Sequence, residues 1–307
     1  MALPAILVIK LGALGDFVQA LGPFAAIRRH HENARVTLLT TEPFRDFAAA
    51  SGYFDDIWTG GRPGALDVDG WFRLRRRLRQ GGFGRVYDLQ TSDRSSFYYR
   101  LFWPGPTPEW SGIAGGCSHP HASPARDSMH TVERQAEQLA MAGIPDVPTP
   151  DLSWATANLQ RFALPGRFAL LVPGGAAHRP AKRWPAKRFG ELARIMADNG
   201  VTPVLLGSAE DAPIIAVLRD SCADTIDLTG HTDLLEVAAL GRAAAVACGN
   251  DTGPMHLISA VGCPSVVLYS DESHPALCGQ RGRAITILRR DRLDDLSVDE
   301  VVEALPR

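Results

Sequence analysis

Short apolar runs alternate with longer amphipathic stretches along this chain. Ala5–Leu11 (AILVIKL) reads as a buried strand from its nearly continuous apolar run. Asp16–His30 follows as a helix, because Phe17, Ala20, Leu21, Phe24 and Ile27 recur at three- and four-residue spacing. Arg35–Thr41 (RVTLLTT) is the next strand. A second series begins near Arg167 with the strand FALLV, a helix over Pro185–Asn199 and the strand VTPVLLG. It continues with a helix from Asp211, the strand TIDL, a helix over Asp233–Arg242 and the strand AAAVAC. A helix from Pro254 and the strand SVVLYS come next. Strands separated by helices of about ten to fifteen residues imply parallel sheets built from right-handed βαβ units.

The join between the two series lies in Gly143–Ser153 (GIPDVPTPDLS), which carries three prolines and no apolar period. The expected architecture is therefore α/β, with Rossmann-like, doubly wound parallel-sheet domains at 1–150 and 151–307 facing a central cleft. At the end of the chain, Ser297–Leu305 reads as a short helix opened by a capping box, Ser297 with Glu300 three residues on. Cys117–Asp127 (CSHPHASPARD) has two prolines and no period, and reads as a mobile loop before a helix over His130–Ala142.

Composition narrows the function classes. The 307 residues are 45% apolar and 21% charged, with a formal net charge of −2 that is balanced in both halves, so no global field recruits nucleic acid or an anionic membrane. The five cysteines are odd in number and lack a CxxC pair, which fits a reducing cytoplasm better than a disulfide framework. No basic segment precedes the apolar Met1–Ile9, and Lys10 and Asp16 break the apolar character soon after it, so no secretory signal is expected. No uncharged apolar run reaches the roughly 18 residues of a bilayer-crossing helix.

Three strand-to-helix turns carry candidate chemistry. Gly249-Asn-Asp-Thr-Gly-Pro-Met-His256 follows a buried strand, and Pro254 suits the first position of the next helix. Thr252, Gly253 and the next few amides would form a helix N-terminus at the carboxyl edge of the sheet, a site suited to phosphate, with His256 one turn inside. The alternative is simply a capped helix after a strand. Lys10-Leu-Gly-Ala-Leu-Gly-Asp16 is the first such turn; Gly12 and Gly15 permit close backbone approach, and Asp16 is either a helix cap or a general base. Its GxxG spacing is not the GxGxxG dinucleotide fingerprint. Pro173-Gly-Gly-Ala-Ala-His-Arg-Pro-Ala-Lys-Arg-Trp-Pro185 leaves a strand through Gly174 and Gly175 into a basic loop, where Lys182 and Arg183 are placed to neutralise a leaving diphosphate, unless they are only solvated.

Other clusters read more plainly. Asp67-Val-Asp69 mimics a DxD metal motif but sits in a polar turn. Cys117, His119, His121 and His130 lack the spacing of a zinc site, and no metal is expected. Arg73, Arg75, Arg76, Arg77 and Arg79 flank Leu74 and Leu78 on a helix, either as a solvated face or as a landing site for an anionic acceptor or lipid head groups. Cys248 and Cys263 read as small core residues.

Taken in order, KLGALGD, PGG followed by KRWP, DLTG at 227–230 and NDTGPMHLISAVGCPSVVLY resemble glycosyltransferase family 9, the bacterial heptosyltransferases of lipopolysaccharide core assembly, over nearly the whole chain. The resemblance implies a GT-B fold and an inverting, metal-independent transfer with no cofactor. It also implies an acceptor (a glycolipid or oligosaccharide of the lipopolysaccharide core) on the N-terminal domain and ADP-heptose on the C-terminal one. By resemblance Asp16 is the general base and Lys182 the phosphate-binding lysine; Asp251, Thr252, Gly253 and His256 form the donor loop, and Glu210 or Asp211 reaches the donor ribose. It further implies a terminal helix packed back on the first domain and a cytoplasmic enzyme in peripheral contact with the inner membrane. Two departures bear on which sugar nucleotide is used: Ala177 and His178 stand where the family has hydroxyl residues, and Ser270-Asp271-Glu272-Ser273 where it has Gly and Thr. The rival readings are a nicotinamide dehydrogenase, a GT-B sugar-nucleotide epimerase, a GT-B transferase using another nucleotide sugar, and a non-catalytic nucleotide-sugar-binding protein.

Overall fold

The computed structural model describes residues 3–176 and 178–306, and the chain divides into two compact units, Met1–Trp154 and Ala155–Arg307. The first contains a six-stranded sheet of β1 (Ala5–Ile9), β2 (Arg35–Leu39), β3 (Asp56–Trp58), β4 (Phe83–Asp88), β5 (Glu109–Gly112) and β6 (His119–Pro120). Every pairing is parallel, and the spatial order is β3-β2-β1-β4-β5-β6. The second contains β7 (Phe168–Val172), β8 (Thr202–Leu205), β9 (Ile226–Asp227), β10 (Val246–Asn250), β11 (Ser265–Tyr269) and β12 (Ile285–Arg289), again all parallel, in the order β12-β11-β10-β7-β8-β9. The strand order reverses between β1 and β4 in one sheet and between β7 and β10 in the other. Loops diverge to opposite sides at such points and leave a crevice at the carboxyl edge.

The central strands β1, β2, β7, β10 and β11 are buried on both faces, which explains their continuous apolar runs. In β7, Ala169 and Leu171 join a core with Phe189, Leu192 and Met196 of the helix Ala186–Asp198 and Ile215 and Leu218 of the helix Ala212–Ser221. In the first unit, Leu7 and Ile9 pack with Leu74 and Leu78 of the helix Val68–Gln80 and with Tyr98 of the helix Asp93–Arg100. Among the described residues no helix is long and apolar enough to cross a membrane.

Several expected elements differ. The helix expected over Asp16–His30 is two helices, Leu14–Gln19 and Leu21–His30, joined at Ala20. Pro23 is the cause, since its ring cannot share a helix with the carbonyl four residues earlier, that of Gln19. Cys117–Asp127 is anchored rather than loose: β6 pairs with β5, and the buried His121 ring lies 2.7 Å from the Glu137 carboxylate. The two-residue pairing is too short to show as periodicity. The terminal helix, Val298–Glu303, opens on the Ser297/Glu300 capping box. Val301 of this helix and Leu296 just before it are buried in the core of the second unit.

Trp184 joins several of these parts. Its ring is 1% exposed and meets Phe189 edge-on at 4.9 Å, and its indole N–H donates to the Leu296 carbonyl at 2.9 Å. Trp184→Ala is expected to destabilise the second unit by about 3–5 kcal/mol, and Trp184→Phe by less, read from the midpoint of that unit's denaturant transition.

Candidate functional site

In the second unit the site grows from the turns after β7 and β10. Gly249 must be glycine, since a Cβ there would lie 2.7 Å from Val172 Cβ and 2.8 Å from Met255 Sδ. Gly174 must be too, because a Cβ would meet the Asp211 carboxyl at 2.6 Å. Fully buried Asn250 ties the two turns together. Its Nδ2 donates to the carbonyls of Pro173 (2.8 Å) and Gly174 (3.1 Å), and its Oδ1 accepts from the Trp184 amide (2.9 Å). The helix Gly253–Ala260 then starts with Pro254 in its first turn. Thr252 donates its hydroxyl to the Asn250 carbonyl at 3.2 Å rather than capping this helix, so the first amides face the turn without a side-chain cap.

Asp251 is the charged centre of this turn. Its Oδ2 accepts from Lys182 Nζ at 2.5 Å and from the Ser273 hydroxyl at 2.8 Å, while Oδ1 accepts from Gln280 Nε2 at 3.1 Å and lies 3.8 Å from His256 Nε2. Burial opposes its ionisation, but the hydrogen bond and charge of Lys182, with the Ser273 and Tyr269 hydroxyls, outweigh it and hold the carboxyl below its ordinary value. Burial, and then the charge of Asp251, push the Tyr269 phenol far up, so it stays protonated and donates to Gln280 Oε1 at 2.8 Å.

The remaining candidates of this unit separate. Arg183 donates to the Gly175 carbonyl and lies 3.9 Å from Asp211. Asp211 is buried, accepts from the amide and hydroxyl of Ser208 at 2.9 Å each, and underlies Gly174, so it shapes the turn; Glu210 beside it is exposed. Of the two acidic residues considered for the ribose, Glu210 alone is free to meet a ligand. His178 is exposed, and Ala177 lies outside the described residues. Asn250, Ser273, Gln280 and Tyr269 are not singled out by the sequence as binding residues, although Asn250, Tyr269 and Ser273 fall inside strings that are.

In the first unit, Asp16 sits at the third position of the helix Leu14–Gln19, just past β1, and its carboxylate accepts from the Ala13 amide at 3.3 Å. Gly12 holds a left-handed φ of +119°, with the Phe44 ring 3.2 Å from where a Cβ would stand, and Gly15 is buried in the first turn. At the same carboxyl edge Lys10 is buried and donates to the Leu89 carbonyl at 3.0 Å. The other clusters are accounted for structurally. Asp67 caps the helix Val68–Gln80 through the Gly70 amide. His119 and His130 hold separate partners, and no group of three or more His, Cys, Asp or Glu among the described residues could hold a metal ion. Cys248 and Cys263 are buried free thiols.

Asp88, at the carboxyl end of β4, is fully buried, and burial pushes its carboxyl up to about 6 despite hydrogen bonds and the nearby charge of Lys10. With the folded value above the unfolded one, its contribution to stability is present below about pH 4 and lost as pH rises to about 6. Asp88→Asn lacks this titration. The melting temperature of Asp88→Asn minus that of the wild type should therefore climb by several degrees between pH 4 and pH 6 and level off above, as read by calorimetry at fixed ionic strength.

The family model described as glycosyltransferase family 9 (heptosyltransferase) matches residues 71–294. The chain is 38% identical over 246 residues to lipopolysaccharide heptosyltransferase 2 of Escherichia coli K12, covering 68% of this chain and 66% of that protein. The alignments span between 30% and 66% of the length of the first curated relatives. In fold, the chain is similar to a glycosyl transferase family 9 structure from Veillonella parvula, with a TM-score of 0.84 at 20% identity over 99% of this chain and 97% of that one. It is also similar to E. coli ADP-heptose lps heptosyltransferase II, with a TM-score of 0.77 at 22% identity over 98% and 97% of the two chains. The fold is the GT-B fold of those structures, two six-stranded parallel sheets flanked by helices, and the chain belongs to glycosyltransferase family 9.

Proposed function

We propose that this protein transfers heptose from ADP-heptose to an acceptor of the lipopolysaccharide core by a single, inverting, metal-independent displacement. The observation that carries this reading is the convergence of Lys182, Asp251, His256 and an uncapped helix N-terminus where β7 and β10 part. Cationic and amide donors there suit a diphosphate that gains charge as it leaves. The names of the relatives support the sugar and the nucleotide, and exposed Glu210 in the turn after β8 is the group assigned to the ribose.

In this mechanism the first unit supplies the base and the second holds the donor. Asp16 accepts the proton of the acceptor hydroxyl, the hydroxyl oxygen forms its bond to the anomeric carbon, and the bond from that carbon to the β-phosphate oxygen breaks. ADP leaves with the bonding pair, and its new charge is met by Lys182 and the amides just after Thr252. Arg183 holds the Gly174–Gly175 turn to this shape through the Gly175 carbonyl. The reaction would run in the cytoplasm.

Transfer from a different nucleotide sugar is favoured by one observation. Ser273, in the segment that departs from the family pattern, donates its hydroxyl directly to Asp251 beside the donor position. A thermal-shift screen over ADP-, UDP-, GDP- and dTDP-sugars decides between the two, since only a ligand bound to the native state raises the melting point. ADP-heptose should give the largest shift, and a larger shift with another donor establishes the second reading.

Two variants test the roles. Asp16→Asn should lower kcat by about 10²–10⁴-fold with ADP-heptose affinity unchanged, measured by steady-state transfer and by calorimetric titration. Lys182→Ala should weaken ADP binding by roughly ten- to a hundredfold. It should also destabilise the unit by leaving Asp251 buried without its counter-charge. Adding Asp251→Asn should restore the melting temperature but not the ADP affinity.

A further inference from the structure

After β11 the segment from Ser270 to Gln280 passes over the carboxyl end of β10. Asp251 follows that strand directly, and its amide donates to the Leu268 carbonyl at 3.0 Å. Local bonds shape the segment. The His274 ring accepts from the Ala276 amide at 3.3 Å at the start of the short helix Pro275–Cys278, and the Gly279 amide donates to the Pro275 carbonyl at 2.7 Å at its end. The result is that two side chains of this one segment reach the same carboxylate from opposite sides. Ser273 gives its hydroxyl to Asp251 Oδ2 at 2.8 Å, and Gln280 gives its Nε2 to Oδ1 at 3.1 Å. Tyr269, just before the segment, backs Gln280 with a bond of 2.8 Å.

The two partners of the ion pair are held unequally. Among the described residues the Lys182 ammonium makes one polar contact, to Asp251 Oδ2. Asp251 has that contact and the two neutral donors besides. Tyr269 is 0% exposed and Gln280 5%, so water does not readily stand in for either. A neutral donor stabilises the ionised carboxylate and takes over part of the compensation that the ammonium would otherwise carry alone. Were Lys182 the sole partner, its departure would leave a buried charge unpaired, at a cost that ties it to Asp251. With Ser273 and Gln280 in place, the carboxylate keeps partners on both oxygens when the lysine turns away.

We propose that the segment Ser270–Gln280 sets the affinity of the site for a diphosphate, with Ser273 and Gln280 as positioning residues that act through Asp251 to release Lys182 toward phosphate. The proposal rests on the reading of Lys182 as the diphosphate ligand and adds what governs its strength. A diphosphate binds by drawing the ammonium away from its resting partner, so its affinity falls as the hold of Asp251 on Lys182 tightens. Ser273 belongs to the stretch that departs from the family pattern, and Gln280 closes the same segment. Changes there would adjust diphosphate affinity without touching any residue that meets the ligand.

The test uses the full-length protein with inorganic pyrophosphate, a diphosphate that carries neither nucleoside nor sugar, and with ADP, each followed by calorimetric titration. Ser273→Ala removes one donor at a part-exposed position. Gln280→Met/Tyr269→Phe removes the other together with its buried partner, so no hydroxyl is left stranded in the core. Each variant should weaken pyrophosphate and ADP binding by about three- to tenfold. Introduced on Asp251→Asn, where no carboxylate holds Lys182, the same changes should leave pyrophosphate affinity unaltered. Unchanged affinity in Ser273→Ala and in the Gln280→Met/Tyr269→Phe variant overturns the proposal. So does a loss of equal size on Asp251→Asn, since the segment would then be a structural support and nothing more. Wild-type protein that binds neither pyrophosphate nor ADP overturns the reading of Lys182 itself, an outcome told apart because it appears before any substitution. Should the double variant fail to fold, Ser273→Ala and its Asp251→Asn counterpart decide alone.

Discussion

The carboxamide of Asn250 is the contact on which the candidate site of the second unit depends. Two parallel strands, β7 and β10, lie side by side, yet their chains leave in opposite directions, and the carbonyls of Pro173 and Gly174 are left without a strand partner. A buried carbonyl without a donor is costly. One amide group satisfies both and fixes the Trp184 backbone with its remaining oxygen. Because Trp184 is in turn wedged against Phe189 and Leu296, the basic loop before it is held by the core of the unit rather than by its own sequence. Lys182 is therefore delivered to Asp251 by packing that begins on the far side of the sheet.

That delivery has an electrostatic meaning. A lysine and a carboxylate in close contact, both largely buried, offset each other's desolvation only when further donors complete the carboxylate. Ser273 and Gln280 do so here. The pair presents little net charge, and in the proposed transfer an arriving diphosphate would meet a cation already oriented. The amides of the helix Gly253–Ala260 add a fixed field that needs no side-chain movement.

Much of this was legible along the chain. Both series of strands and helices announced themselves because doubly buried parallel strands are apolar throughout and their covering helices are amphipathic. Short strands such as β3, β6 and β9, of two or three residues, carry too little pattern to be seen alone. The break at Ala20 was readable in principle from Pro23, but the strong spacing of Phe17, Leu21, Phe24 and Ile27 masked it. The turn from Gly249 to His256 stood out since its residue types have few uses together. What the sequence could not convey was partnership across distance. Asp211 and Glu210 look equivalent as neighbours, and only the folded turn shows one locked beneath Gly174 and the other open. Gln280 meets Asp251 from 29 positions away with no local sign of it.

The phenol of Tyr269, which keeps its proton, has a directional consequence. Since that hydroxyl donates to the oxygen of the Gln280 amide, the amide is pinned in one orientation and must aim its nitrogen at Asp251. Both oxygens of this carboxylate are thereby committed at the same time, one to an ammonium and a hydroxyl, the other to an amide. A group so fully engaged cannot pick up a proton from an incoming alcohol. It behaves as a stationary negative pole around which cations are arranged, so the base of the proposed transfer lies elsewhere in the chain.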